Sequence, residues 1–266
     1  MADIKLSKKY VDDFIVVSVE RKTNDFVVLE LKHPGRLPFM EPGQFVQARV
    51  DGTSTVYLRR PISIHDVAYE TNTIKLLVQE VGDGTRWITS RSVGDVINLI
   101  YPLGNWFKLP LNKSDKVLLV GGGCGVAPLL FLGKKLKQYG FEPQYLIGAK
   151  SEKNLVQLIE YEKLGTVHIT TEDGSVGVKG FVIHHPVMKT FTPDFDLIYT
   201  CGPEPMMKVL AKYAANHQIG CQVSLENNMA CGFGACLCCV TATHHGNKCT
   251  CIEGPVFDSK ELIWQI

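Results

Sequence analysis

Residues 116–135 read KVLLVGGGCGVAPLLFLGKK, and this stretch decides the fold. A run of branched apolar residues leads into a glycine-rich segment and then into a helical pattern. This order predicts a buried strand, a tight loop and a helix. The same alternation continues in the predicted strands 144–148, 166–170, 196–200 and 221–225 and the predicted helices 127–140, 154–165 and 205–217. Strands that alternate with such helices predict βαβ units around a parallel sheet.

The part of the chain before this stretch has a different pattern. Short β-branched or alternating runs are separated by turn residues such as Pro42-Gly43 and Asp51-Gly52. The predicted strands are 14–20, 26–32, 43–50 and 74–81. Regularly spaced strands with few helical patterns indicate an antiparallel barrel or sandwich. We therefore predict a β-barrel domain over residues 1–110 and an α/β parallel-sheet domain over residues 111–221.

The segment after residue 221 has no helical or strand periodicity and consists of cysteine, glycine and short polar runs. Such a segment cannot build a hydrophobic core alone, so a bound metal would have to order it. We predict that residues 222–266 form a small metal-binding module.

Composition narrows the class of protein. The 266 residues carry a formal net charge of +1, so no basic surface for nucleic acid or an anionic membrane is predicted. The most apolar segment, 116–135, is crowded with glycine and too short to cross a membrane. The first residues, MADIKLSKKY, show no apolar run typical of a secretion signal. We expect a cytoplasmic protein, in which clustered cysteines bind metal or do redox chemistry.

The glycine-rich loop predicts a nucleotide site. Its glycines are Gly121, Gly122, Gly123 and Gly125. Backbone N–H groups there can approach a pyrophosphate at the positive end of a helix dipole. The Rossmann fingerprint is not matched, because Val126 stands at the third glycine position and no acidic residue ends the next strand. A tight structural turn is the alternative interpretation; otherwise a dinucleotide binds here in another way.

Two further stretches bear on this choice. YLRRPISI (57–64) places an arginine after a probable strand, where its planar fork suits a phosphate, and a nearby serine can bond a ring nitrogen. TCGPEPMM (200–207) places a cysteine and a glycine at the carboxyl end of a parallel strand, where α/β sheets bind ligands. Alone, each stretch could be structural: a surface arginine with a turn serine, or a buried thiol before a helix.

Six of the nine cysteines lie between residues 228 and 257. Cys231, Cys236 and Cys239 have the C-x4-C-x2-C spacing of plant-type [2Fe–2S] proteins. The fourth ligand is Cys249 or Cys251, and the spacing does not choose between them. Structural zinc is the alternative that the spacing leaves open. A Rieske cluster is disfavoured because the adjacent histidines at 244 and 245 lack the interleaved Cys/His pattern.

Taken in order, these motifs resemble the ferredoxin-NADP reductase superfamily. In that superfamily a β-barrel carries the motif R-x-[YFIL]-[ST], which binds flavin. The following α/β domain carries a glycine-rich loop and a C-G-P motif, which bind the nicotinamide nucleotide. EVGDGT (80–85) is similar to the superfamily's G-x-G-T flavin loop. The resemblance implies FAD contacts at Arg60, Pro61, Ile62, Ser63, Leu77, Val78, Gln79, Gly84 and Thr85. It implies NAD contacts at Gly121, Gly123, Gly125, Cys201, Gly202 and Pro203.

A narrower resemblance covers the whole chain. SLENNMACGFGACLCCV (224–240), CIEGPVF (251–257) and TTEDGSVGVKGFV (170–182) resemble the electron-transfer subunits of class 1B dihydroorotate dehydrogenases. In that family the last ligand precedes x-[DE]-G-P-V-F, which implies Cys251 and leaves Cys249 free. The chain departs from the family at Cys238, where glycine is common, and at Asn228, where arginine is frequent.

This resemblance implies a relay without a catalytic side chain. Electrons would pass from an FMN-containing dihydroorotate dehydrogenase catalytic subunit through [2Fe–2S] and FAD to NAD⁺ in pyrimidine biosynthesis. The assembly would be a heterotetramer of two of each subunit, with Phe233 and Leu237 at the interface. Lys150, Ser151 and Lys153 could hold a 2′-phosphate or form a solvated loop, so the residues do not choose between NAD and NADP. NAD is preferred on the resemblance alone.

Three other functions are compatible with these motifs. One is the flavin and iron-sulfur subunit of another complex, of the sulfide dehydrogenase or ferredoxin:NADP oxidoreductase type. Another is a self-sufficient reductase that feeds an oxygenase, although its ferredoxin module usually has a longer gap to the last cysteine. The third is a zinc-stabilised nucleotide-binding module without catalysis, which would be colourless.

Overall fold

The structure is a computed structural model that describes residues 8–190 and 193–264. Residues 1–7, which belong to the N-terminal stretch considered above, lie outside the described part. The first domain contains one short helix, α1 (Asp83–Thr89), and the strands β1 (Tyr10–Arg21), β2 (Phe26–Lys32), β3 (Phe45–Ala48), β4 (Arg60–Ala68), β5 (Thr73–Gln79) and β6 (Val96–Leu103). These strands close in the order β1-β2-β5-β4-β3-β6, so the predicted barrel is confirmed over the sandwich.

One strand begins later than the sequence pattern predicted. Arg60 was expected after a strand, but residues 57–59 are irregular and Arg60 is itself the first residue of β4. Pro61 follows, in a position near the strand start where the missing N–H is tolerated. The prediction of a strand before Arg60 is therefore wrong, and the arginine lies at the barrel rim.

Strand β3 is buried on both faces. Val46 and Ala48 point into the barrel core, as the alternation of a strand requires. Phe45 and Gln47 point outward, and they are 3% and 0% exposed. The outer face of β3 is therefore covered by another part of the chain.

The second domain is a mainly parallel sheet with helices α2 (Ala127–Gln138), α3 (Leu158–Glu162) and α4 (Glu204–Asn216). Its parallel strands are β7 (Val117–Gly122), β8 (Gln144–Ala149), β9 (Thr166–Thr171), β10 (Val178–Lys179), β11 (Leu197–Cys201) and β12 (Gly220–Ser224). Short 3-10 helices occur at Gly123–Val126, Glu152–Asn154, Val182–His184 and Pro186–Met188. The strand order is β10-β9-β8-β7-β11-β12. From β7 the chain adds strands first on one side and then, with β11, on the other, so the topological switch point lies between β7 and β11. Ligands bind at such switch points, outside the carboxyl ends of the strands.

Helix α3 is shorter than predicted. The sequence pattern indicated a helix over residues 154–165, but only Leu158–Glu162 is α-helical. Leu155 is extended and Gln157 has a φ of 53°, in the left-handed region that interrupts a helix. Val156 is buried against the sheet, so packing overrides the local helical pattern.

The cysteine-rich segment contains a hairpin of β13 (Val240–Thr243) and β14 (Gly246–Cys249). The chain then returns to the sheet, where β15 (Val256–Asp258) pairs antiparallel with β12. Phe257 and Leu262 join the core of the α/β domain. The third segment thus shares a core with the second, and the division at residues 110 and 221 remains a prediction.

Within residues 8–190 and 193–264, no helix combines the length and the apolar character that crossing a bilayer requires.

Candidate functional site

The two nucleotide motifs meet at the switch point of the sheet. Strands β7 and β11 are parallel neighbours, and Gly121 is paired with Cys201. A Cβ on Gly125 would lie 2.2 Å from the Cys201 carbonyl oxygen, so only glycine allows this approach. Gly202 has a φ of 149°, and its Cβ would lie 2.9 Å from the Gly122 carbonyl oxygen. The residues predicted to bind NAD are therefore brought together in one crevice lined by backbone.

A carboxylate that the sequence reasoning missed lies at this crevice. The thiol of Cys124 donates to Glu226 Oε1 at 3.5 Å, and the thiol of Cys201 lies 3.8 Å from the same oxygen. Glu226 is exposed as a whole residue, but its carboxylate end is enclosed, and burial raises the pKa of the carboxyl while the two thiols oppose the shift. Its place two residues after the carboxyl end of strand β12 was the signal available in the sequence.

The two thiols in this cluster are protonated at neutral pH. Burial, followed by the nearby Glu226, raises the pKa of Cys124 to about 12. The same two causes raise the pKa of Cys201 well above the usual thiol range. Neither thiol is therefore suited to act as a nucleophile, which agrees with a site that positions a cofactor.

A cavity of about 310 Å³ adjoins the crevice. Gly202, Pro203 and Glu226 form one wall, and Val240, Leu262 and Trp264 form another. The cavity therefore lies between the nucleotide crevice and the cysteine-rich segment.

The two flavin motifs also meet. A Cβ on Gly84 would lie 2.4 Å from Arg60 Nε, so the arginine lies directly on the first turn of α1. Arg60 Nη1 donates to the Leu58 carbonyl at 2.9 Å. The Thr85 hydroxyl accepts from Gly82 N at 3.1 Å and donates to the Gly82 carbonyl at 2.9 Å. The predicted hydroxyl donor to a pyrophosphate is thus engaged within the loop, whereas the Arg60 guanidinium lies beside Gly84 at the barrel rim.

The remaining predicted flavin residues differ in their surroundings. Leu77 is in the core shared with the α/β domain, and Val78 is in the barrel core. Gln79 is half-buried and pairs with Phe26. On β4, Pro61 is exposed, Ile62 is 8% exposed and Ser63 is half-buried. Val78 could reach a flavin only through its backbone, because its side chain points into the barrel.

The loop that carries Cys231 and Cys236 is shaped by left-handed residues, with φ values of 77°, 86° and 57° at Gly232, Gly234 and Leu237. This winding points backbone amides at sulfur: Ala235 N donates to Cys231 Sγ at 3.3 Å. Burial raises the pKa of the Cys231 thiol, but the surrounding amides and the Cys236 side chain outweigh it and lower the pKa to about 6. Cys231 is therefore available as a thiolate, the form that binds metal.

Cys239, Cys249 and Cys251 follow this loop in the chain and lie close to one another. Cys239 and Cys251 are 2% and 0% exposed, and Cys251 N donates to Cys239 Sγ at 3.4 Å. Burial and then the Cys239 thiol raise the pKa of Cys251 to about 12, and the Gly234 amide opposes this shift. Cys249 also faces Cys239, and burial and Cys239 raise the pKa of its thiol. The backbone amide of Gly234, in the loop 231–236, is therefore in contact with the Cys251 sulfur.

Thiols flanked by backbone amides are the donor set that suits an iron-sulfur cluster. Over the described ranges 8–190 and 193–264, however, no three Cys, His, Asp or Glu side chains are closed around one point as metal ligands would be. The four sulfurs would have to draw together on binding, so Cys231, Cys236, Cys239 and Cys251 remain the predicted ligands. Cys238 is exposed.

The cysteine-rich segment is fastened to the barrel. Phe45 and Leu103 form one buried cluster with Cys239 and Cys251. Asn105, just beyond β6, donates from Nδ2 to the Glu253 and Val256 carbonyls, both at 2.7 Å, and accepts from Val256 N at 2.8 Å. No sequence signal indicated Asn105, because its partners are distant in the chain.

Comparison with known proteins agrees with this geometry. The sequence model of a family described as the iron-sulfur cluster binding domain of dihydroorotate dehydrogenase B matches residues 226–263. Among solved structures, the NADH-dependent reduced ferredoxin-NADP oxidoreductase, from work on flavin-based electron bifurcation, is 28% identical with a TM-score of 0.83, covering 99% of this chain and 92% of its own. The ferredoxin reductase of carbazole 1,9a-dioxygenase is 20% identical with a TM-score of 0.68, covering 79% and 67%, and shows the fold alone.

Curated relatives cover most of the chain. The dihydroorotate dehydrogenase B (NAD(+)) electron transfer subunit of Shouchella clausii is 38% identical over 229 residues, which is 84% of this chain and 86% of that protein. The protein of the same name from Desulforamulus reducens is 38% identical over 263 residues, covering 95% and 98%. With fold, site geometry and full-length similarity in agreement, the chain belongs to the family of dihydroorotate dehydrogenase B (NAD(+)) electron transfer subunits.

Proposed function

We propose that this chain relays electrons between NAD and the FMN-containing catalytic subunit of a dihydroorotate dehydrogenase, through FAD and a [2Fe–2S] cluster, in pyrimidine biosynthesis. One observation carries the proposal: the adjacent strands β4 and β3 together connect all three sites. Strand β4 begins at Arg60 for the flavin, and His65 further along it lies 2.7 Å from the Ala127 carbonyl at the end of the glycine loop. Its neighbour β3 forms the floor beneath the cysteines.

The side chains of this relay bind and position. Arg60 would hold the FAD pyrophosphate through its planar fork, and the backbone around Gly84 lies directly beside it. The crevice at Gly125 and Gly202 would hold the nicotinamide nucleotide. When bound, FAD supplies the chemistry that links two-electron hydride transfer to one-electron transfer. No side-chain nucleophile is required.

Exposed apolar side chains on the cysteine loop support a partner surface there. Phe233 is 46% exposed and Leu237 is 64% exposed, on a loop that carries two of the proposed ligands. Contiguous exposed apolar patches mark interaction sites, and these two side chains lie four residues apart on the same loop. We assign them to the contact with the catalytic subunit, in an assembly of two of each subunit.

A second candidate function rests on the structural similarity that spans 99% of the chain. That protein is an NADH-dependent ferredoxin-NADP oxidoreductase, and this chain could be the corresponding subunit of such a complex. The two candidates differ in the electron partner, which is dihydroorotate dehydrogenase in the first and ferredoxin with NADP in the second.

The test uses the purified full chain loaded with FAD and iron. Alone, it should reduce artificial dyes with NADH and leave dihydroorotate untouched. Addition of the dihydroorotate dehydrogenase catalytic subunit should couple dihydroorotate oxidation to NAD⁺ reduction. Reduction of ferredoxin or NADP⁺ without any coupling to dihydroorotate would favour the second candidate. A colourless protein that retains zinc would contradict both.

A further inference from the structure

The side-chain amide of Gln47 is buried and has no hydrogen-bond partner among residues 8–190 and 193–264. The side chain is 0% exposed, and neither Nε2 nor Oε1 is hydrogen-bonded to any residue that the structure describes. An unpaired buried amide costs about 1–3 kcal/mol, whereas an apolar residue of similar shape would cost nothing of this kind. The chain therefore keeps a polar group at a position where packing alone would favour a hydrophobic one.

The amide is directed at the cysteine loop. A Cβ on Gly232 would lie 2.7 Å from Gln47 Cγ and 3.0 Å from its Nε2, and Gly232 directly follows Cys231. Phe45, on the same outer face of β3, packs with Cys239 and Cys251. Gln47 thus lies in the floor on which the predicted ligands are assembled.

The same residue also touches the flavin strand through its backbone. Gln47 pairs with Pro61, next to Arg60 on β4. Its carbonyl accepts from Arg59 Nη1 at 3.1 Å. Gln47 therefore stands between the proposed flavin site and the cysteine loop.

Gln44, three residues before Gln47, is a buried glutamine with a structural role and serves as the comparison. It is 2% exposed, yet its Nε2 donates to the Gly104 carbonyl at 3.2 Å and its Oε1 accepts from Glu41 N at 2.8 Å. Both polar atoms of Gln44 are satisfied within the protein. The contrast indicates that the partner of Gln47 is a group other than protein.

We propose that Gln47 donates an Nε2–H hydrogen bond to a sulfur of the iron-sulfur cluster held by the cysteine loop, and so raises its reduction potential. The proposal rests on the function proposed above. A donor stabilises the extra negative charge that reduction places on the cluster, and hydrogen bonds to sulfur are among the factors that set such potentials. Gln47 is a positioning and tuning residue and not a ligand.

The experiment uses the full chain with FAD and iron bound. Gln47→Met keeps the length without the donor, and Gln47→Glu keeps the shape but replaces the donor with an acceptor. Both should retain cluster iron. At a fixed potential, the ratio of reduced to oxidised cluster should fall about tenfold in Gln47→Met, which is about 59 mV for one electron, and further in Gln47→Glu. Potentiometric titration followed by electron paramagnetic resonance measures it.

Gln44→Met is the matched control. It should lower the unfolding temperature, because two hydrogen bonds are lost, and leave the cluster potential unchanged. Gln47→Met should not lower the unfolding temperature of the protein prepared without iron. Equal potentials in wild type and both Gln47 variants would overturn the proposal.

A measurement on the wild type covers the case in which the variants lose iron. Protein labelled with ¹⁵N in glutamine side chains should show a weak ¹⁵N coupling and an exchangeable proton coupling to the reduced cluster. Absence of the glutamine ¹⁵N coupling would overturn the proposal, because the backbone amides that face the sulfurs also supply exchangeable protons. A wild type that binds no iron-sulfur cluster at all would instead overturn the proposed function.

Discussion

The nucleotide crevice and the cysteine loop are both rich in glycine, but for different reasons. At the crevice, a side chain on Gly125 would meet main-chain atoms of Cys201 and Gly202, and one on Gly202 would meet the main chain of Gly122 as well as the Met206 methyl at 2.8 Å. In the cysteine loop, the nearest atoms to Gly232 and Gly234 are side-chain atoms, Gln47 Cγ at 2.7 Å and Ile252 Cδ1 at 1.7 Å. The first site is shaped by backbone, and the second by the side chains around a wound loop.

This difference predicts different sensitivities. A backbone crevice between packed parallel strands is part of the sheet and exists without a ligand. A loop that has no core of its own depends on its sulfurs, on the metal and on the barrel floor beneath it. Substitutions that add atoms should therefore damage the crevice most, whereas substitutions that remove sulfur should damage the loop most.

The largest effect is expected from loss of a cluster ligand. Cys231→Ser, Cys236→Ser, Cys239→Ser and Cys251→Ser should each reduce bound iron to near zero, since a thiolate ligand is lost. Cys238→Ser and Cys249→Ser are the matched controls and should retain iron. Iron per protein is the measurement. Full iron in Cys251→Ser together with loss in Cys249→Ser would show that the fourth ligand is misassigned.

Gly125→Ala tests the crevice in the opposite way, by adding one carbon. Because the new Cβ would lie 2.2 Å from a main-chain oxygen, the strand ends must separate, at a cost of about 3 kcal/mol. NADH binding should be lost, while iron and FAD content stay unchanged. Calorimetric titration with NADH and a thermal melt measure both effects.

The control for this variant is Gly140→Ala. Gly140 has a φ of 83° and no atom near its Cβ position, so only backbone strain of about 1–2 kcal/mol is expected. If Gly125→Ala bound NADH as well as Gly140→Ala does, the crevice would not be the nucleotide site.

A smaller effect is expected at the flavin rim. There the Arg60 side chain is only one of two groups proposed to hold FAD, and the backbone around Gly84 is the other. Arg60→Ala should weaken FAD binding by roughly 2–3 kcal/mol, because a charge-assisted hydrogen bond to phosphate is removed. FAD retained after gel filtration is the measurement. Arg59→Ala is the control: its guanidinium bonds Asn98 at 2.6 Å within the barrel, so it should lower stability and spare FAD. Tight FAD binding by Arg60→Ala would remove Arg60 from the site.

The smallest effect concerns pH. His65 is 0% exposed, and burial lowers the pKa of its imidazole despite bonds to Ala127 and Gln157 and the nearby Asp66. The unfolded chain therefore binds a proton near the usual pKa of 6.5 before the folded chain does. Stability is present above pH 6.5 and is lost as the pH falls below it, until the folded pKa is reached.

Comparison of melting temperatures at pH 7.5 and pH 5.5 tests this assignment. His65→Gln should show a smaller acid-induced decrease than the wild type, and exposed His244→Gln should behave as the wild type does. The His65 imidazole bonds the Ala127 carbonyl at the start of α2, next to the glycine-rich loop. Protonation of His65 should therefore weaken NADH binding at a higher pH than the one at which iron is released. An unchanged pH dependence in His65→Gln would exclude the imidazole as its source.

Much of the fold and part of the site were predictable from local pattern. The strand-glycine-helix stretch at residues 116–135 and the cysteine spacing identified the sheet domain and the iron-sulfur segment. The failures were local patterns that packing overrode, as in the shortened α3 and in β4, which starts at Arg60. Glu226, Asn105 and Gln47 were missed because their relevant neighbours are far away in the chain.

The sequence by itself determined which residues can carry the chemistry. Thiol spacing, glycine positions and an arginine beside a proline depend on residue type and on the few bonds between neighbours, and these properties are present in any conformation. Only the tertiary structure decided that β7 lies beside β11. The contact of Arg60 with Gly84 and the contact of Gln47 with Gly232 were also decided there. The physical reason is that sheet order and register follow from burying apolar faces of distant segments together, and no local pattern encodes that choice.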